Sequence, residues 1–160
     1  MMLIEKFNGP PPSETELSVA PVVDRWQLLP NDNGTTDVSG FVSGHHSIPD
    51  GAFAVTSALV QIDPSTPPKW VRSRNRVYRL GRSAGAVESQ VRELARDRGV
   101  RPREWDILAY TKAIEGLSGH GEGQIDIIEQ LIALLLLCGF VNAEAGQTLL
   151  TTYRKERAQC

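Results

Sequence analysis

Hydrophobic and polar positions change period once along this chain, near Gly85. Before that point apolar residues fall in short, β-branched runs separated by turn signals; after it they recur every three or four residues. The run VAPVVDRWQLLP, residues 19–30, predicts a short strand bounded by prolines. NDNGTTDVSG follows as turn chemistry with Asn33-Gly34 as its strongest signal, and Pro49-Asp50-Gly51 marks a second turn. From Phe53 to Gln61, Phe53, Val55, Ser57, Leu59 and Gln61 alternate with Ala54, Thr56, Ala58 and Val60, which predicts one half-buried strand. DPSTPPK, residues 63–69, then breaks it.

The second period predicts helices. Val87, Val91, Leu94 and Ala95 form one stripe of a helix that enters near Ser83 or Gly85 and stops at Gly99. Residues 101–117 predict another, with Trp105, Leu108, Ala109 and Ile114 facing inward. A third, over residues 124–140, is apolar almost all round from Leu131 to Cys138 and ends at Gly139; it is too short to span a bilayer. Such a helix must be covered, either by its own helical layer or by a second copy of the chain in a homodimer. Asn142 then caps a final helix with a basic last turn.

Strands first and helices afterwards predict an α+β fold: a small antiparallel sheet or barrel of four or five strands, followed by a layer of three or four helices. The expected organisation is a flexible arm over residues 1–18, a β module over 19–81 and a helical region over 82–160, which either share one core or form two lobes. With 41% apolar but only 6% aromatic residues, the core has to be aliphatic. The N-terminal segment has no signal-peptide pattern, and the two cysteines, Cys138 and Cys160, make no disulfide framework, so a reduced, cytoplasmic setting without a membrane anchor is expected.

The net charge of −2 conceals a strong asymmetry. Residues 1–68 carry −6, residues 69–104 carry +7 and residues 105–160 carry −3. The positive block centres on WVRSRNRVYRLGRSAG, Trp70 to Gly85, which holds Arg72, Arg74, Arg76, Arg79 and Arg82. As one straight strand it places Trp70, Arg72, Arg74, Arg76 and Tyr78 on one face, a cationic ladder with aromatic ends suited to a phosphate backbone and stacked bases. As a hairpin turning at Arg74-Asn75 it sets Ser73 opposite Arg76 and loses the ladder. The arginines either meet an anionic partner or pair internally with Asp24, Asp37, Asp50 or Asp63, and charged edge strands also serve simply to prevent edge pairing.

Other candidate chemistry is sparser. LGRSAG, entering a helix, offers the amides of Arg82 to Ala84 and the Arg82 guanidinium to a phosphate or carboxylate. It lacks the Gly-Lys-Ser/Thr ending of a phosphate-binding loop, and Gly119, Gly121 and Gly123 lack the strand that a dinucleotide fingerprint requires. His45, His46 and Asp50 form an incomplete metal set, so no metal or cofactor is expected. Ser57 or Ser118 with His120 and Asp126 have no nucleophile elbow around them, and Cys138, in the most apolar segment, reads as an inert thiol.

Gly44-His45, Asp50-Gly51, Thr56-Ser57 and Tyr78-Arg79-Leu80-Gly81 give residues 41–81 a pattern that resembles a small β module of uncharacterised bacterial and phage-borne proteins. The resemblance implies a compact origin of that kind and favours the hairpin; it carries no activity. The function expected is therefore that of a non-enzymatic interaction protein, an inhibitor or adaptor. It would bind an acidic protein surface or nucleic acid through Trp70, Arg72, Arg74, Arg76, Tyr78, Arg79 and Arg82. The alternative is a nucleotide-binding protein or small hydrolase with a pocket between residues 81–85 and 119–123, where His120 and Glu122 supply polar groups.

Overall fold

A computed structural model describes residues 7–102, 106–118 and 124–159. The chain divides into two units, Met1–Ala84 and Gly85–Cys160. The first carries α1 (Glu14–Val19), β1 (Val22–Pro30), β2 (Thr36–Ser43), β3 (Ala52–Val55), β4 (Leu59–Ile62), β5 (Trp70–Ser73) and β6 (Val77–Leu80). The second carries α2 (Ala86–Asp97), α3 (Ile107–Ser118), α4 (Ile127–Leu137) and α5 (Ala143–Ala158). The fold is α+β, as the change of period predicts.

The six strands form one open sheet in the order β3-β2-β1-β6-β5-β4. It is mixed, which corrects the antiparallel expectation: β1 and β6 run parallel, with Val22 beside Arg79, while the other neighbours are antiparallel. A second correction concerns residues 53–61. They are not one strand but two, β3 and β4, at opposite edges of the sheet. Thr56 makes the break. Its amide still donates to the Val38 carbonyl at 2.8 Å, but its hydroxyl takes the Val38 amide at 3.0 Å and donates to the Ser57 carbonyl at 2.9 Å, so the ladder ends in a side chain. Four residue steps from Val55 to Leu59 reach roughly 14 Å, whereas five spacings of a flat sheet need roughly 24 Å. The sheet must therefore curl until its edge strands approach, although no ladder closes it. Its core is mainly aliphatic: Val23, Val38, Val42, Leu59 and Val71 are buried together with Tyr78.

In the helical unit α4 packs against α2, α3 and α5, burying Ile128, Leu131, Ile132, Ala133 and Leu135. These residues of the apolar run are thus covered within its own layer, the first of the two ways the sequence leaves open. Cys138 is exposed where α4 ends. Asp126 and Glu129 close a capping box, Asn142 caps α5, and Gly99 and Gly139 take left-handed conformations just past α2 and α4. On α3 the inward stripe is Tyr110, Ile114 and Leu117. Leu108 and Ala109 point to solvent instead, Leu108 being 68% exposed, and Trp105 lies outside the described residues. An apolar stripe at i, i+4 and i+7 outcompetes a single leucine at the first turn.

Gly116, exposed on α3, has nothing within 4 Å of where a Cβ would stand. Gly116→Ala is expected to stabilise the helical unit by about 0.5–1 kcal/mol, because alanine loses less backbone entropy in a helix. A higher thermal midpoint checks it, and a lower one would show an unseen contact at that face.

Candidate binding groove

The arginine-rich segment is a hairpin. Trp70 pairs with Arg79, Val71 with Tyr78 and Arg72 with Val77, and the chain reverses at Arg74-Asn75. The turn does not use a left-handed asparagine: among the described residues the only non-glycine with positive φ is Arg25. Ser73 makes it instead. Its hydroxyl oxygen accepts the amides of Asn75 and Arg76 at 3.3 and 3.2 Å, while its own amide donates to the Arg76 carbonyl at 2.8 Å. Serine at the first position of such a turn is a known preference, and here it was the stronger signal.

The reversal removes the straight ladder and sorts the seven candidate residues into three groups. Trp70 and Tyr78 are buried in the sheet, a correction to their expected role as rings offered to a partner. Burial raises the Tyr78 hydroxyl above its ordinary pKa, with the nearby Arg76 charge opposing. Arg72, Arg79 and Arg82 are held by the chain itself. Arg72 pairs with Glu16 at 3.0 Å, donates to Gln61 at 3.1 Å and stands 4.7 Å from the centre of the Phe7 ring. Arg79 donates twice to the Ala20 carbonyl, at 3.2 and 3.1 Å. Arg82 pairs with Asp24 at 3.1 Å. Of the four aspartates considered as internal partners, Asp24 takes an arginine; Glu16, which the sequence reading passed over, takes another. Arg74 is exposed at the turn and Arg76 half-buried beside it.

Between α1, β4 and this hairpin lies an open groove of about 570 Å³. Val60, Val77, Ala20 and Pro21 give it apolar lining, Phe7, Glu16 and Val19 line it from the N-terminal segment, and Arg72, Arg74 and Arg76 from the hairpin. The stretch read from sequence as an arm therefore contributes structure. Ser13 caps α1 by accepting the Glu16 amide at 3.1 Å, and Ala20 and Pro21 are tied to Arg79. The Arg72–Glu16 pair is partly exposed, with side chains 18% and 44% accessible, so it contributes only about 0.2–1 kcal/mol. What it establishes is fit: a carboxylate can sit at the groove's cationic side.

The anion site expected at LGRSAG has the right chemistry and an internal occupant. The Arg82 amide and guanidinium both hold Asp24, at 2.9 and 3.1 Å. Partial burial pushes the Asp24 carboxyl up, but the Arg82 hydrogen bonds and charge outweigh it, leaving its pKa below the ordinary value. At the start of α2 the amides of Val87 and Glu88 donate to Glu156 at 3.0 and 3.1 Å, and Gly85 leaves the room that this carboxylate takes.

His45 stacks on His46 and on Tyr78, with ring centres 4.7 and 6.3 Å apart, and its Nδ1 accepts the Ser47 amide at 3.1 Å. Desolvation, then the charges of Arg76 and His46, hold its pKa below the usual histidine value. Asp50 accepts the Gly44 amide instead of facing these rings as a ligand. Among the described residues no three His, Cys, Asp or Glu side chains are placed to hold a metal ion, and no helix is long and apolar enough to cross a membrane. His120, Glu122 and the glycines at 119, 121 and 123 lie outside the described residues. Asp126, considered as a triad member, caps α4 and accepts the Tyr153 hydroxyl at 2.6 Å.

Residues 6–100 match the family of unknown function DUF6634, more than half of the 160 residues. The chain belongs to this family. No curated protein and no solved structure matches the chain. The DUF6634 stretch contains every residue that lines the groove, together with β1 to β6 and α2, while α3, α4 and α5 lie beyond it.

Proposed function

We propose that this DUF6634 protein is a non-enzymatic binding module, an adaptor or inhibitor, that takes an acidic protein segment onto the groove-lining arginines of the β5–β6 hairpin. One observation carries the reading: Arg72 already holds a carboxylate at 3.0 Å in a groove with apolar lining, and Arg74 and Arg76 line the same groove. Arginine beside apolar surface is the residue chemistry that dominates protein interfaces. An acidic protein is favoured over nucleic acid because the rings that would stack on bases, Trp70 and Tyr78, are buried, and the turn interrupts the arginine row. The resemblance of residues 41–81 to a bacterial or phage-borne β module fits a cytoplasmic adaptor or inhibitor of that origin.

The test is a pull-down from bacterial lysate, with and without nuclease, comparing the wild-type chain with Arg74→Ala/Arg76→Ala. Arg72 is left in place because its ion pair with Glu16 holds α1, and the unchanged thermal unfolding required of the variant checks that the two replaced side chains are not needed for folding. A nuclease-resistant acidic protein retained by the wild type and reduced at least about tenfold in the variant, with thermal unfolding unchanged, is the expected result; removing two hot-spot arginines typically costs that much or more. Retention that disappears with nuclease would make the surface a nucleic-acid site and overturn the reading.

A further inference from the structure

The segment that closes the groove has the same chemistry as the partner just proposed. α1 is acidic in its first turn, with Glu14 and Glu16, is preceded by Phe7 and ends at Val19. It is only six residues long and buries none of them; Val19 is 77% exposed. A helix this short has no stability of its own in water. What holds it in place is the hairpin: Glu16 on Arg72, the Phe7 ring under the same guanidinium, and the Ala20 carbonyl on Arg79. The sequence places −6 of charge before residue 69 and +7 in residues 69–104, so this contact joins the acidic and basic blocks of one chain.

We propose that residues 7–19 act as an internal ligand: they compete for Arg72 with an acidic, apolar segment of a partner protein, which displaces α1 when it binds. This rests on the groove reading above. A tethered segment competes at a high effective concentration, and the open state it permits is only a fraction of the population, so partner affinity is reduced by that fraction. The device keeps Arg72 occupied until a segment with better complementarity arrives.

The experiment uses the full-length chain and a labelled synthetic peptide of residues 7–20, FNGPPPSETELSVA, as the probe, read by fluorescence anisotropy. Full-length Glu16→Gln/Phe7→Ala weakens the internal contact and is expected to bind the peptide at least about tenfold more tightly than the wild type, since a contact worth that factor must be lost before the peptide can enter. Glu14→Gln, which changes the net charge equally, is expected to leave the affinity within about twofold of wild type. In the wild-type chain, saturating peptide should speed amide exchange across Glu14 to Ala20, a readout that does not depend on any substitution. Equal binding by wild type and Glu16→Gln/Phe7→Ala, with no change in exchange, would overturn the internal ligand while leaving the groove reading intact. A gain from Glu14→Gln as large as that from Glu16→Gln/Phe7→Ala would reduce the effect to net charge and overturn it as well. Binding of the peptide to none of the chains would overturn both.

Discussion

Arg92→Ala is expected to destabilise the helical unit by about 3–5 kcal/mol. Arg92 and Glu88 lie one turn apart on α2, 3.1 Å from each other, with both side chains only 3% exposed. Burying two charges is expensive, and their attraction offsets that cost only while both are present. Removing the guanidinium takes from the buried Glu88 carboxylate its ion-pair partner at 3.1 Å and leaves a buried charge less well compensated. A loss of that size is a large part of the roughly 5–15 kcal/mol that holds a typical domain together. Glu88→Ala should do the same. Glu88→Leu/Arg92→Met, which removes both charges and keeps the volume, should recover most of the loss, because hydrophobic replacements of a buried pair are often neutral or stabilising. Denaturant unfolding followed by helical circular dichroism measures all three. If Arg92→Ala shifts the midpoint no further than an exposed pair would, the two side chains reach water and the pair is not an internal one.

Local signals were legible and partner choice was not. The helix entries near Gly85 and at Asn142 and the stops at Gly99 and Gly139 are set by residues within one turn of each boundary, so the chain announces them, whereas the Asp126 cap lies inside the run read as helix from residue 124. Even α1 had its sign, since Ser13 followed by Glu16 has the spacing of a capping box; the preceding prolines drew the reading towards an arm. The sheet is different. Nothing in residues 53–61 alone says that the strand breaks at Thr56, because the break is made by the Val38 amide and carbonyl, eighteen residues away. The parallel pairing of β1 with β6 joins Val22 to Arg79 across more of the chain still. Such contacts are fixed by tertiary packing, which periodicity does not encode.

The candidate site divides along the same line. Its arginines, its loop chemistry and the choice between ladder and hairpin could be posed from the sequence. Which anion each arginine meets could not, because Glu16 is fifty-six residues from Arg72 and Asp24 fifty-eight from Arg82. The charge blocks gave the sign of these contacts but not the pairing. Three of the five arginines in this stretch build the frame, and Arg74 and Arg76 line the open groove beside Arg72.

Gly40→Ala should produce the second large effect, a destabilisation of the β unit of about 3 kcal/mol, at the upper end for overpacking a tight core. A Cβ on Gly40 would stand 2.5 Å from the Val23 Cγ1 and 2.8 Å from the Asp24 carbonyl oxygen. That closeness arises from β1. Its register against β2 shifts between Asp24 and Gln27, and Arg25 adopts φ of +52°, an unfavourable conformation for a side chain of its kind. The irregularity serves the hairpin's far end: it lets Asp24 reach Arg82, and Trp26 donate from its indole to the Gly81 carbonyl at 3.0 Å. Gly40 therefore permits the bulge, and the bulge sets the loop that leads out of the sheet. Val23→Ala in the Gly40→Ala background should restore little, because the Asp24 carbonyl belongs to the backbone and cannot swing aside as a side chain does. Full recovery in that double variant, measured as the thermal midpoint, would show that only the Val23 methyl was in the way. An unchanged midpoint in Gly40→Ala itself would mean that β2 does not approach the bulge closely, and that Asp24 is placed against Arg82 by some other constraint.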